Sequence, residues 1–497
     1  MSRESVAPFP PLAAGPFAPD WASLGRYQVP AWYEDAKFGI FIHWGVYSVP
    51  AYLSEWYPRM MYRQGSAEFE HHRTTYGPQD RFGYKDFIPA FTAPRFDPAA
   101  WVSLFREAGA RFVVPVAEHH DGFAMYDCPF TRWNSVGMGP RRDIIAELSE
   151  HVRGAGLHFG VSSHRAEHTW FFDGGLEFPS DVQDPAYADL YGPVLRGVTD
   201  HHERVGNPPS EAFLQDWLAR CCHLVERYRP DLVFFDWWIV HRAFEPYLRH
   251  FAAHYYNLGA QGAQGVVINA KYEAMPEGTS VFDVERAQLQ GLRGQVWQSD
   301  TAVAKNSWGY TEAQDYKEAR ELVHDLVDVV SKNGVLLLNI GPRGDGSIPE
   351  GDAALLRALG SWLEVHGEAI YGSRPWRVYG EGPASAPADL RGPVRLDGLP
   401  PTPEGAVHDH LRPPFGPEDI RYTTRDGILY AILLGWPPDG KVCLRSLGTC
   451  LTLHERPVAT VRLLGQGPVP WRRDVDGLHA TLPSERPGNH AWVLAIT

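Results

Sequence analysis

The sequence is poor in the features that mark several large protein classes. No run of about 18 uncharged apolar residues occurs, so no segment reads as a helix crossing a membrane. Cysteine is scarce. There are five in 497 residues, an odd number, with Cys221 and Cys222 adjacent and no CxxC pair, which argues against a disulfide framework. Basic residues are outnumbered, 46 Lys and Arg against 60 Asp and Glu, for a net charge of −14. With no long basic run, binding of nucleic acid by phosphate neutralisation is not expected. Gly341–Gly346 lacks the GK[ST] ending of a phosphate-binding loop and reads as a turn, and HExxH is absent. Residues 1–17 carry no compact apolar run behind a positive start. Together with the cysteine usage, this leads us to expect a cytoplasmic protein.

What is present is an ordinary globular balance, 44% hydrophobic and 21% charged, with 13% aromatic residues and 22 His. Residues 1–30 are rich in Pro and Ala and read as an arm. From 31 to 372, eight short apolar runs read as buried parallel strands: 37–43, 112–117, 157–162, 232–236, 265–269, 280–284, 295–299 and 335–340. Helical stretches fall between several of them, at 97–109 behind the N-cap Asp97, 143–152, 211–228, 245–257 and 312–331. Eight such units closing on themselves form an irregular TIM-like (β/α)8 barrel, least regular where the connections are short around strands five to seven. From 373 to 497 a Pro- and Gly-rich stretch gives way to alternating runs at 427–434, 441–446, 459–464, 477–482 and 490–496. The expected fold class is therefore α/β, the barrel followed by a C-terminal antiparallel β-sandwich.

Reactive groups of such a barrel sit where its strands end. Those ends read His43-Trp44-Gly45, Glu118-His119-His120-Asp121, Ser162-Ser163-His164, Asp236-Trp237-Trp238, Asn269 with Lys271, Glu285-Arg286, and Asp300. Asp236 follows four apolar residues and precedes two tryptophans, so its carboxylate is expected in a desolvated, aromatic setting suited to a nucleophile or base. Glu285 is its natural partner as general acid and base, with Glu55, Glu273, Asp283 and Asp300 as rival acids. Carboxyls about 5–5.5 Å apart make a retaining glycosidase, and about 6.5–9.5 Å apart an inverting one. His43, His119, His120 and Asp121 admit a second reading, the ligands of a metal-dependent barrel hydrolase. Against it, adjacent histidines on an extended strand point apart. Imidazoles reading sugar hydroxyls are the preferred account, with no metal and no cofactor. A sugar-binding protein whose acids are structural is the non-catalytic alternative.

Several segments together resemble the α-L-fucosidases of glycoside hydrolase family twenty-nine. They are WYEDAKFGIFIHWGVYSVPAYLSEWYPRMM (32–61), EHHDGFAMYDCPFTRWNS (118–135), DLVFFDWW (231–238), NSWGY (306–310), LLLNIGPRGDGSIP (336–349) and HGEAIYGSRPW (366–376). The resemblance implies a retaining exo-hydrolase of terminal α-linked L-fucose, acting on fucosylated oligosaccharides, imported ones if the chain is cytoplasmic. It assigns the nucleophile to Asp236. The acid/base falls on Glu285, or on Glu55 as in some members. His43, Glu55, Trp56, His119, His120 and Trp308 match the family's fucose pocket, and the strand ends add His164, Lys271 and Trp238 as substrate-binding candidates. Trp56, Trp237, Trp238 and Trp308 are candidates to pack the sugar's methyl group and one ring face. The chain departs from the common pattern at Phe234, where many members have Trp, at Lys271, where many have Arg, and at Ser162-Ser163-His164-Arg165, where tyrosines are usual. A related glycosidase for another sugar, such as an α-L-galactoside, is therefore the closest alternative. Neither nucleic acid nor membrane is an expected partner, and a homo-oligomer is left open.

Overall fold

A computed structural model describes residues 9–198, 202, 204–262, 264–271, 273–385 and 406–497. Eight parallel strands close into a barrel in chain order: β1 (Phe38–Ile42), β2 (Phe112–Glu118), β3 (His158–Ser163), β4 (Leu232–Phe235), β5 (Val267–Lys271), β6 (Val281–Glu285), β7 (Trp297–Ala302) and β8 (Gly334–Ile340). The apolar runs are nearly continuous because both faces of the sheet are covered. One face fills the lumen with Phe41, Phe112, Val114, Val116, Leu232, Phe234, Val267, Val281, Val335 and Leu337. The other packs against the helices in a single large core. Gly39 shows how tight the lumen is, since a Cβ there would lie 2.4 Å from the Phe112 ring.

Among the described residues, six helices of ten or more residues accompany the strands: α1 (Pro98–Glu107), α2 (Ile144–Gly154), α3 (Glu211–Tyr228), α4 (Glu245–Ala260), α5 (Ala319–Ser331) and α6 (Glu350–His366). The side chains of Asp97, Asp143 and Ser210 cap the first three by accepting a backbone N–H in the first turn. No helix links β5 to β6 or β6 to β7 among the described residues, so the barrel is irregular where the short connections predicted it. The helix expected from 312 begins only at Ala319, where Glu318 and Glu321 form a reciprocal capping box. The α6 helix was not expected at all.

The arm is tied down from Phe9 onward: Asn257 on α4 donates to the Ala13 and Phe17 carbonyls and accepts from the Phe17 N–H. Its first eight residues lie outside the described part. After the barrel come a six-stranded sheet that begins with Arg374–Glu381 and a three-stranded sheet of 441–444, 478–481 and 471–473, both antiparallel, around their own core. A short strand, Ala406–His408, pairs back onto Ala287–Leu289 of the barrel body. Neither member of that pair was read from the sequence. All five cysteines are unpaired.

Candidate active site

Side chains alternate along a strand, so the residue two beyond each lumen-facing residue also faces inward, one layer nearer the mouth. His43 thus follows Phe41, His164 follows Ser162, and Asp236 follows Phe234. In the same way Lys271 follows Asn269, Glu285 follows Asp283, and Asn339 follows Leu337. The register sets these layers side by side, pairing Phe234 with Asn269, Lys271 with Asp283 and Glu285 with Asp300. The eight strand ends thereby gather one polar cluster over an apolar plug.

Lys271 is its centre. The ammonium is fully buried and lies 2.8 Å from Asp283, 3.1 Å from Glu285, 3.1 Å from Asp300 and 3.9 Å from Asp236. Burial alone would lower its pKa, but these four carboxyls outweigh that and hold it well above the usual lysine value. Burial pushes the Asp300 carboxyl well up, with Asp283 adding to the effect, and Asp283 is raised by burial as well. Asp236 and Glu285 are the other two carboxyls at this ammonium.

Asp236 is the opposite case. Burial would raise it, but His164, whose Nδ1 hydrogen-bonds its Oδ2 at 2.9 Å, together with Lys271 and His120, holds it well below the ordinary carboxylate range. Glu285 accepts a hydrogen bond from Trp237 Nε1 at 2.5 Å in addition to its contact with Lys271. Because Asp236 Oδ1 and Glu285 Oε2 both touch one ammonium, their separation cannot exceed the sum of the two distances, about 7 Å. That admits the retaining spacing and only the lower edge of the inverting one.

The histidines line the opposite wall. His43 Nδ1 bonds Asn339 Oδ1 at 2.7 Å, and His43 lies ring to ring with His119 and His164 at 5.6 and 5.1 Å. Burial, reinforced by neighbouring imidazoles, drives His43 and His119 well below the usual histidine pKa, so both are neutral hydrogen-bonding groups. His119 and His120 do not point apart as an extended strand would demand. The strand ends at Glu118, and the turn through Gly122, at φ 77°, brings their rings within 4.2 Å. His120 faces Asp236 at 3.5 Å.

The metal reading changes its membership. The ligand atoms of His43, His119 and His164 lie within 4.8 Å of one another, as do those of His120, His164 and Asp236. Asp121 joins neither group. Its carboxylate accepts from Tyr84 and from the Phe123 N–H, and burial raises it to about 7. Both ring nitrogens of His164 are already engaged, Nδ1 with Asp236 and Nε2 with Ser162 Oγ at 2.6 Å.

The rival acids separate clearly. Glu55 is buried, and a single oxygen accepts from Ser307 Oγ, Trp308 N and Gly309 N at 3.0, 2.9 and 3.3 Å, which pins the segment carrying Trp308. Glu273 is exposed and paired with Arg204 at 2.9 Å rather than with Lys271. It lines a cavity of about 410 Å³ together with Arg242, Arg293 and Lys271. Trp56 and Trp308 are half-buried beside His120 and His43 at 5.2 Å each. Trp238 does not share this wall. Its φ of 66° turns the chain, and its ring is buried behind the site against Trp170, at 6.0 Å, and Phe244. Trp237 occupies the inward place instead.

Residues 8–368 match the family model described as "Alpha-L-fucosidase", and residues 415–497 match the model described as "Alpha-L-fucosidase C-terminal domain". The tissue alpha-L-fucosidase of Rattus norvegicus is 33% identical over 98% of this chain and 94% of its own length. The plasma alpha-L-fucosidase of Homo sapiens is 31% identical over the same shares. The crystal structure of the Thermotoga maritima alpha-fucosidase in complex with fucose superposes with a TM-score of 0.73 at 29% identity, over 97% of this chain and all of the other. The chain belongs to the alpha-L-fucosidase family.

Proposed function

We propose that this protein is a retaining, exo-acting α-L-fucosidase that releases terminal α-linked L-fucose from oligosaccharides. The observation that carries the reading is the pair of carboxyls, Asp236 and Glu285, held to one buried ammonium at the mouth of a barrel whose other wall is imidazole and indole. Asp236, kept ionised by His164 and Lys271, attacks the anomeric carbon. The glycosidic C–O bond breaks as the Asp236–carbon bond forms, and the departing oxygen takes a proton from Glu285. Glu285, now a carboxylate, removes a proton from water. That water attacks the same carbon, fucose leaves, and Asp236 is restored. Trp237, donating to Glu285, and Lys271 hold the acid in place through both steps.

His43, His119 and His120 present nitrogens suited to sugar hydroxyls, and a site that pairs a given hydroxyl rejects sugars lacking it. Trp56 and Trp308 offer the apolar faces. The test is hydrolysis of 4-nitrophenyl α-L-fucoside followed by proton NMR from the first turnovers. We expect α-L-fucose as the initial product, mutarotating afterwards. Initial β-L-fucose would overturn the retaining mechanism, and absence of turnover on any α-L-fucoside would overturn the activity.

A further inference from the structure

One acid close to the cluster is left unused by this mechanism. Glu167 lies in the single turn Arg165–Glu167 just after β3 and is 1% exposed. Neither of its carboxyl oxygens has a hydrogen-bond partner among the described residues. Arg59, whose charge acts on it, is committed to Asp173 at 3.0 Å and to the carbonyls of Trp170 and Phe171. A buried carboxylate with no donors costs several kcal/mol, so such a group is stable only when it keeps its proton. What it faces is His120. Glu167 Oε2 stands 3.5 Å from His120 Nδ1, and His120 Nε2 stands 3.5 Å from Asp236 Oδ2. Nδ1 also donates to the His164 carbonyl at 2.9 Å, which fixes the proton on that nitrogen, since a carbonyl only accepts. The three side chains form one row, Asp236–His120–Glu167.

We propose that Glu167 is a positioning residue that works as a neutral carboxylic acid, backing His120 so that Nε2 of the ring is kept facing Asp236. This rests on the reading of Asp236 as nucleophile. The charged and titratable groups around Glu167 are Arg59, His120, Asp236, Glu285 and Lys271. Burial first, and then the Asp236 and Glu285 charges, push its pKa well up, against the opposing pull of Arg59 and Lys271. As an acid, Glu167 keeps an acceptor beside Nδ1–H without a second negative charge. Ionised, it would compete with Asp236 for the ring and set another buried anion beside the nucleophile. Partners that orient a working group from behind in this way typically matter by about 10–100-fold.

Glu167→Gln copies the neutral acid in shape and cannot ionise, whereas Glu167→Ala removes the backing. Infrared difference spectra of wild type against Glu167→Gln at pH 7 should show the carbonyl stretch of a protonated, water-excluded carboxylic acid in the wild type only. For 4-nitrophenyl α-L-fucoside, Glu167→Gln should keep kcat/KM within about 3-fold. Glu167→Ala should lose about 10–100-fold, mainly in kcat, with the acid limb of its pH profile displaced. Three results would overturn the proposal: no such band, Glu167→Gln as impaired as Glu167→Ala, or Glu167→Ala with wild-type kinetics. If Glu167→Ala does not fold, the infrared comparison and the Gln kinetics decide. The infrared arm needs no turnover, so a wild type inactive on fucosides would defeat the fucosidase reading without touching the protonation of Glu167.

Discussion

Replacing Lys271 by methionine, similar in length but uncharged, probes what keeps Asp236 ionised. The ammonium lies 3.9 Å from Asp236 Oδ1. At an effective dielectric constant of about 20, a unit charge at that distance contributes about 4 kcal/mol, equivalent to about 3 pKa units. Losing a positive charge raises a carboxyl pKa. Asp283 and Asp300, closer to Lys271 at 2.8 and 3.1 Å, bind protons more readily once it is gone, and each proton taken up removes negative charge near Asp236. The net displacement of Asp236 should therefore be about 1–3 units upward. The assay is kcat/KM against pH with 4-nitrophenyl α-L-fucoside for wild type, Lys271→Met and Lys271→Arg, with thermal unfolding as a check on folding. The acid limb should move up by that amount in Lys271→Met and stay within about half a unit in Lys271→Arg, which keeps the charge. A folded Lys271→Met with an unmoved acid limb would refute the electrostatic role given to this lysine.

Glu285→Ala should lose far more activity on fucosides with poor leaving groups than on 4-nitrophenyl fucoside, because only the former need a proton; equal losses would return the acid role to another residue. Glu55→Gln should raise KM more than it lowers kcat, since its carboxylate holds the Trp308 segment, and a kcat loss that grows with leaving-group basicity would instead mark Glu55 as the acid. His119 stays neutral when folded, while the unfolded imidazole binds a proton near pH 6.5, so the unfolded state holds more protons and stability falls as pH drops. Between pH 7 and 5 His119→Gln should lose about 2 kcal/mol less stability than wild type, which parallel unfolding curves would contradict. An α-L-galactoside, which adds a hydroxyl at the methyl position, should be turned over about 10–200-fold less efficiently than the fucoside; equal kcat/KM would remove the idea of a methyl pocket.

Much of the scaffold was legible because strands buried on both faces must be apolar throughout, and eight such runs separated by amphipathic stretches leave few other ways to close a sheet. The polar strand ends were legible for the same reason: Asp236 after Leu232–Phe235 breaks an apolar run at the depth where a barrel opens. Details that depend on one dihedral angle were not. Trp237 and Trp238 are equal in the sequence, and only the positive φ of Trp238 sends the second ring behind the wall. His119 and His120 converge because the strand stops one residue earlier. The short pair Ala287–Leu289 and Ala406–His408 is too brief to show periodicity. Glu167 sits in a short turn that gives no signal, yet the two-residue alternation along β6 and β8 could have placed Asp283 below the mouth and Asn339 at it.

The central claim is that Asp236 forms a covalent bond to the sugar, and it is tested most directly by Asp236→Gly assayed with 4-nitrophenyl α-L-fucoside, with and without azide. Removing the nucleophile should cost about 10⁴-fold or more in kcat. Azide, small enough for the space left by the side chain, should restore part of the activity and yield β-L-fucosyl azide. A well-folded Asp236→Gly that keeps substantial activity, or one that azide leaves inert while azide rescues a variant at another carboxyl, would contradict the account.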